Sequence, residues 1–211
     1  MFTANALTFL NDLSRNNTRD WFADNKATYD AEIKQPAKAF GAVIAAGLEQ
    51  QTGERFTAKL FRINRDLRFS KDKTPYHTHL HMLWTLDTPG RQSPGFFFGI
   101  SPDNVSLGGG VMGFDKPVLT DWRQAVDGAF ADRLKARMDH AAAHGFHPRD
   151  PELKRVPAPY DKDHPHGDLL RRKGLVLWRA LDPSEYGTPL NALKTGFTQL
   201  SPVLEELQTI L

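Results

Sequence analysis

The chain has 211 residues, 40% of them apolar and 25% charged, with a net charge of +2 at neutral pH. That length suits one domain with a substantial core, and the proportions are those of soluble globular proteins rather than disordered or fibrous ones. Cysteine is absent, which excludes a disulfide framework, a thiol nucleophile and a thiolate zinc site. The N-terminal stretch MFTANALTFLNDLSRNN has no basic head before its apolar residues, and no apolar run approaches the ~18 residues a membrane span needs. These features predict a cytoplasmic protein without a membrane partner.

Helical patterning comes first. Leu7, Leu10 and Leu13 form one stripe behind a cap at Thr3 or Asn5, ending at Asn16-Asn17. Thr18 can cap a second helix that buries Trp21, Phe22, Tyr29 and Ile33. Pro36 is expected to restart it into a segment that stops at Gly53. The segments 59–63, 77–86, 95–101 and 104–114 are short, rich in aromatic and branched residues, and separated by Pro, Gly, Asp and Asn. They read as an antiparallel meander with a hairpin turn at Ser101-Pro102-Asp103-Asn104. Leu119, Trp122, Val126, Phe130, Leu134 and Met138 then mark one helical face. Prolines at 148, 151, 157, 159 and 165 predict a long surface-hugging loop. LVLW at 175–178 reads as a further strand, and 189–211 as helical, with Ser201-Pro202 as a fresh cap and first turn. The fold class expected is α+β: a single domain over 1–211, its central antiparallel sheet flanked by N-terminal and C-terminal helices.

The densest charge lies from Lys59 to Tyr76, where six Lys or Arg face two Asp for a local net of +4. Arg62, Arg65 and Arg68 recur at spacings of three, and planar guanidinium forks match carboxylate or phosphate oxygens two at a time. The cluster therefore reads as a clamp for a small anion, with Lys73 as a point charge, Tyr76 as a hydroxyl and Asp66 as an acid/base candidate or an orienter of one Arg. The competing reading is an ion-pair network of Arg65, Asp66, Arg68 and Asp72 that fastens the loop. Solvated pairs of that kind contribute only ~0 to 1 kcal/mol each, which favours the clamp.

The run Arg62-x-x-Arg65-Asp66-x-Arg68-Phe69 with Lys73 and Tyr76 resembles the signature of the DUF2461 family of uncharacterised proteins. Asn16-Asn17, Trp21-Phe22, Tyr29, the Gly108 to Gly110 run, Arg123, LKRVPAPY at 153–160, His164-Pro165 and LLRRK at 169–173 resemble family features in the same order. The likeness spans nearly the whole chain. It implies a single-domain α+β protein and assigns no activity. The chain departs from the pattern at His77, where the family leads one to expect Lys; an imidazole titrating near pH 6.5 then replaces a permanent charge.

Three further features bear on chemistry. His77, His79 and His81 would share one face of a strand at about 6.6–6.8 Å per pair, so two of them could chelate an ion. No spacing matches a metal motif, and neither metal nor cofactor is expected. Gly108 to Gly110 lacks the ending of a phosphate loop, and a bulge or close backbone approach is the better reading. The segment 153–173 carries Lys154, Arg155, Tyr160, His164 and Lys173 between prolines, as a rigid flap over a pocket or as a solvated surface strap.

The function read from these residues is binding of a small anionic ligand, phosphorylated or carboxylated, with Asp66 and His164 as the catalytic candidates. The ligand-binding candidates are Arg62, Arg65, Arg68, Lys73, Tyr76, His77, Arg123, Lys154, Arg155, Tyr160 and Lys173. Nucleic-acid binding through the same basic segments, with Trp84 or Phe96 to Phe98 stacking on bases, is the alternative. It is disfavoured by the low net charge and by the absence of a module motif. A protein-interaction domain is a third class, for which the sequence offers no specific sign.

Overall fold

The computed structural model describes residues 2–87 and 91–211. In chain order the elements are α1 (Phe2–Arg15), α2 (Arg19–Thr28), a π-helical stretch (Tyr29–Lys34), α3 (Gln35–Thr52), β1 (Phe56–Leu60), β2 (Leu80–Leu86), β3 (Gly95–Ser101) and β4 (Asn104–Val111). There follow α4 (Lys116–Val126), α5 (Phe130–Ala142), β5 (His147–Pro148), the short α6 (Gly167–Leu170), β6 (Leu175–Ala180), a 3₁₀ turn (Pro183–Gly187) and α7 (Pro189–Gln208). The fold is α+β. Its open antiparallel sheet has six strands in the order β1-β2-β3-β4-β6-β5. The first four form the expected meander, and Pro102-Asp103 is the two-residue turn between β3 and β4. Among the described residues no helix is long and apolar enough to cross a membrane.

The chain divides into two compact units: 1–84 with 97–107 and 180–194, and 85–96 with 108–179 and 195–211. In the first, α1 buries Ala6, Phe9, Leu10 and Leu13 at helical spacing. Thr18 caps α2 by accepting from the Trp21 N–H at 3.2 Å. The backbone does not restart at Pro36. A helix from 19 to 52 runs through it, because the π-helical stretch just before changes the register: the Gln35 N–H bonds to the Asp30 carbonyl, five residues back. That widening relieves the clash a proline ring makes with the carbonyl four residues earlier. Gly41 brings α3 close to the sheet. A Cβ there would sit 2.8 Å from Met82 Cε, and the Gly41 carbonyl accepts from Trp84 Nε1 at 2.9 Å. Trp84 is fully buried, one of the side chains whose burial stabilises by about 1.5–3 kcal/mol each.

In the second unit the 119–138 pattern is interrupted. It forms two helices, α4 and α5, separated at Asp127-Gly128-Ala129. The glycine run lies in β4 and answers to close approach: a Cβ on Gly108 would stand 2.6 Å from the Leu177 carbonyl oxygen, and one on Gly110 (φ +139°) would overlap that of Leu175. Pro202 lies inside α7 rather than opening a new helix, and Ser201 Oγ donates to the Phe197 carbonyl at 3.0 Å.

Candidate functional site

The basic loop leaves β1 and returns to β2 as two paired limbs. Asn64 bridges Tyr76, the Arg65 N–H donates to the Pro75 carbonyl at 3.0 Å, and the His77 N–H donates to the Ile63 carbonyl at 2.7 Å. Asn17 clamps the returning limb: its Nδ2 donates to the Tyr76 carbonyl at 2.9 Å while its Oδ1 accepts from the Tyr76 N–H at 3.1 Å. The Tyr76 ring stacks on Phe22 with centroids 4.1 Å apart. Its place is thus in an aromatic cluster that continues through Tyr29, whose hydroxyl burial pushes up to about 12.

The three motif arginines take three different environments. Arg65, 20% exposed at its side chain, holds the tip of the loop: its guanidinium donates to Asp72 Oδ2 at 2.6 Å, to the Thr74 carbonyl at 3.0 Å, to Ser70 Oγ at 3.3 Å and to Thr74 Oγ1. Arg68 embraces Asp66, with Nε 3.0 Å and one terminal nitrogen 2.7 Å from its oxygens. Lys73 Nζ donates to the Leu67 carbonyl at 3.1 Å. Arg62 makes neither a hydrogen bond nor an ion pair among the described residues.

Arg62 opens instead into a cleft of about 330 Å³. The outgoing limb lines it with Phe61 and with every second residue from Arg62 on, namely Arg62, Asn64 and Asp66; the returning limb contributes His77, His79 and His81. Period two in extended chain aligns each set. The imidazoles form a row, with centroids 4.7 Å apart for His77 and His79 and 4.0 Å for His79 and His81. Burial lowers the His77 pKa, helped by the charges of Arg65 and Arg62. Burial first, then the neighbouring His81 and His77, lowers that of His79 to about 4. Both are neutral at pH 7. Asp66 is ionised and a weak base, because the Arg68 side chain and backbone N–H bond its carboxylate and Arg62 adds its charge. Among the described residues no group of three or more His, Asp or Glu is arranged to hold a metal ion.

The remaining candidates belong to the second unit, and none of them lines this cleft. Arg123 lies on α4 with its Nε buried and without a hydrogen bond among the described residues. Lys154 and Arg155 are exposed on the strap, and the Lys173 N–H donates to Glu152 Oε2 at 2.8 Å. His164 accepts from the His166 N–H at Nδ1 (3.1 Å), so the neutral ring carries its proton on Nε2 and donates it to Asp127 at 3.0 Å. Both nitrogens are engaged. Tyr160 packs edge-on to that ring, centroids 6.4 Å apart. The aromatics proposed for base stacking, Trp84 and Phe96 to Phe98, are all buried.

Sequence reasoning fixed on spacing three and so grouped Arg62, Arg65 and Arg68. The signal it missed is the period-two pattern Arg62-x-Asn64-x-Asp66, which mirrors the His77-x-His79-x-His81 row already noticed.

A search of curated proteins finds no match to this sequence. A family model described as conserved hypothetical protein (DUF2461) matches residues 5–205. The chain that arranges this cleft therefore belongs to the DUF2461 family, as its Arg62 to Tyr76 motif and the features around it imply.

Proposed function

We propose that the cleft between the two limbs binds a small anionic group, a phosphate or a carboxylate. The observation that carries this reading is the open guanidinium of Arg62. Its two motif partners are satisfied by protein oxygens, whereas Arg62 stands in a cleft that it shares with Asp66, whose carboxylate Arg68 already engages, and with His77 and His79, which are neutral. A guanidinium presents a planar fork suited to two oxygens at once, and a neutral imidazole can add a donor beside it. Arg65 and Arg68 act through the loop: the first fixes its tip, and the second engages the Asp66 carboxylate and offsets its charge at the cleft. Neutral His77 and His79 can gain protons once an anion is bound, since an opposite charge nearby favours the charged ring.

The test is thermal stability in sulfate, phosphate and small carboxylates. A ligand at a hundredfold its Kd adds about 2.7 kcal/mol, and wild type should show that gain with at least one oxyanion. Arg62→Gln should abolish it while leaving the ligand-free melting temperature unchanged. A wild type indifferent to every oxyanion, or an Arg62→Gln variant that responds fully, removes the proposal.

A further inference from the structure

A phosphate alone would need only cations and N–H donors, yet this cleft has an aromatic side chain at its edge. Phe61 is one of four large apolar residues exposed among the described ones, and the only one lining the cleft; at 41% its ring is uncovered enough to take a partner. It is also held in place. Its backbone N–H donates to the His81 carbonyl at 3.0 Å, and Lys59 Nζ lies 4.8 Å from the ring centroid. A fixed aromatic ring adjacent in sequence to an open guanidinium is the arrangement that seats a flat ring while its phosphate is paired.

Two neighbours fit the same ligand. The Asn64 side-chain amide makes no hydrogen bond among the described residues, and it offers a donor and an acceptor side by side, which is what the edge of a heterocyclic base presents in return. The imidazole row supplies flat surface beside the guanidinium, neutral at His77 and His79. At about 330 Å³ the space falls at the lower end of the ~300–1,000 Å³ range of small-ligand sites.

We infer that the anion taken by this cleft is a phosphate carrying a flat heteroaromatic ring, supplied by a free nucleoside monophosphate or by the terminal nucleotide of a single strand. The ring lies on Phe61, the base edge meets Asn64, and the phosphate pairs with Arg62. This rests on the anion-binding reading above, and the two can fail separately.

Calorimetric titration at low ionic strength compares inorganic phosphate, ribose 5-phosphate, adenosine monophosphate and a short 5′-phosphorylated single-stranded oligonucleotide, on wild type, Phe61→Ala and Phe61→Trp. Stacking a base on an aromatic side chain is worth about 5- to 150-fold in affinity. Adenosine monophosphate should therefore bind more tightly than ribose 5-phosphate by a factor in that range. The advantage should vanish in Phe61→Ala, persist in Phe61→Trp, and leave the affinity for inorganic phosphate untouched in both. An oligonucleotide that binds at least as tightly as the mononucleotide, with the same dependence on Phe61, identifies a strand end as the source; weaker binding identifies the free nucleotide. If phosphate binds but adenosine monophosphate is no better than ribose 5-phosphate, the ring is overturned and the anion reading stands. If none of the four binds, both fall.

Discussion

Two basic, polar segments run between strands in this protein, and they resolve their charge in opposite ways. The strap between β5 and β6 ties Arg172, His164 and His166 to protein oxygens and leaves Lys154 and Arg155 exposed. Arg172, 6% exposed, donates to Asp168 Oδ2 from two nitrogens (2.7 and 3.1 Å) and to the Arg149 carbonyl at 2.7 Å; His164 meets Asp127 and His166 meets Asp132 at 3.2 Å. The loop between β1 and β2 satisfies Arg65 and Arg68 but leaves Arg62 open beside the row of His77, His79 and His81. Charged residues crowd both segments, and their number alone locates a site in neither. What separates them is where the unpaired cation stands: Arg62 lines a cleft, whereas Lys154 and Arg155 lie exposed on the strap.

The largest expected effect tests the strap. Arg172→Met removes three charge-assisted hydrogen bonds and strands the Arg149 carbonyl. Asp168 keeps its solvent, so the cost should stay below the 3–5 kcal/mol of breaking a fully buried pair and come to about 2 kcal/mol. In a chain of this length that lowers the melting temperature by about 4–8 °C, with no oxyanion restoring it. A variant as stable as wild type would mean that the strap is less tightly fastened than its geometry implies. Arg65→Gln makes the same test on the loop. It should lower the melting temperature by about 2–4 °C, since its acceptors are mostly exposed, and should weaken the sulfate response without abolishing it. Loss of the response with no loss of stability would move Arg65 from fastener to clamp.

Much of the fold is legible in the sequence because burial imposes period. The segment 95–101 reads as a strand of the meander, and β3 forms there, buried from Gly95 to Ile100. The glycine run reads as close backbone approach, and β4 meets β6 there. Pro36 and Pro202 mislead because tertiary packing carries a helix through each, by a π-helical register change at one and within an otherwise regular helix at the other. At the site the arginines are legible as a cluster but not as individuals. Which guanidinium finds a carboxylate depends on how the loop closes, and Asp72 and Thr74 come to Arg65 only because residues 63–65 pair with 75–77.

A smaller effect follows from the imidazole row. The His79 pKa is about 4 in the folded protein and near 6.5 once unfolded. Below pH 6.5 the unfolded chain takes up the proton first, so stability present above that pH is lost as the pH falls, and the loss levels off near pH 4. Discounted for partial exposure, it amounts to about 1 kcal/mol at pH 5, and His77 acts in the same direction. Carboxylates with lowered pKa values lose their contribution only below about pH 4. Melting between pH 7 and pH 5 should therefore decline in wild type and decline less in His79→Gln. Saturating sulfate should soften the decline, because a bound anion stabilises imidazolium. Equal declines in both proteins would remove the row from any part in the pH response.

The smallest effect on stability gives the sharpest reading of the cleft. Asp66 is exposed and its bonds are to Arg68, itself exposed, so Asp66→Asn should leave the ligand-free melting temperature within a degree or so of wild type. Its effect on binding has a definite sign. The substitution removes a negative charge from the lining of the cleft and releases Arg68 from its carboxylate, so the field at Arg62 becomes more positive. Removing one like charge beside an anion in water changes its affinity by a few-fold. Sulfate affinity should accordingly rise by a few-fold at low ionic strength, and the gain should shrink as salt screens it. If Asp66 instead holds Arg68 as part of the binding surface, or itself accepts a hydrogen bond from the ligand, the same change weakens binding. A fall in sulfate affinity would therefore reassign Asp66 from a charge that limits the anion to a group that takes part in holding it, and would make the paired arginine of this loop as important to the site as the open one.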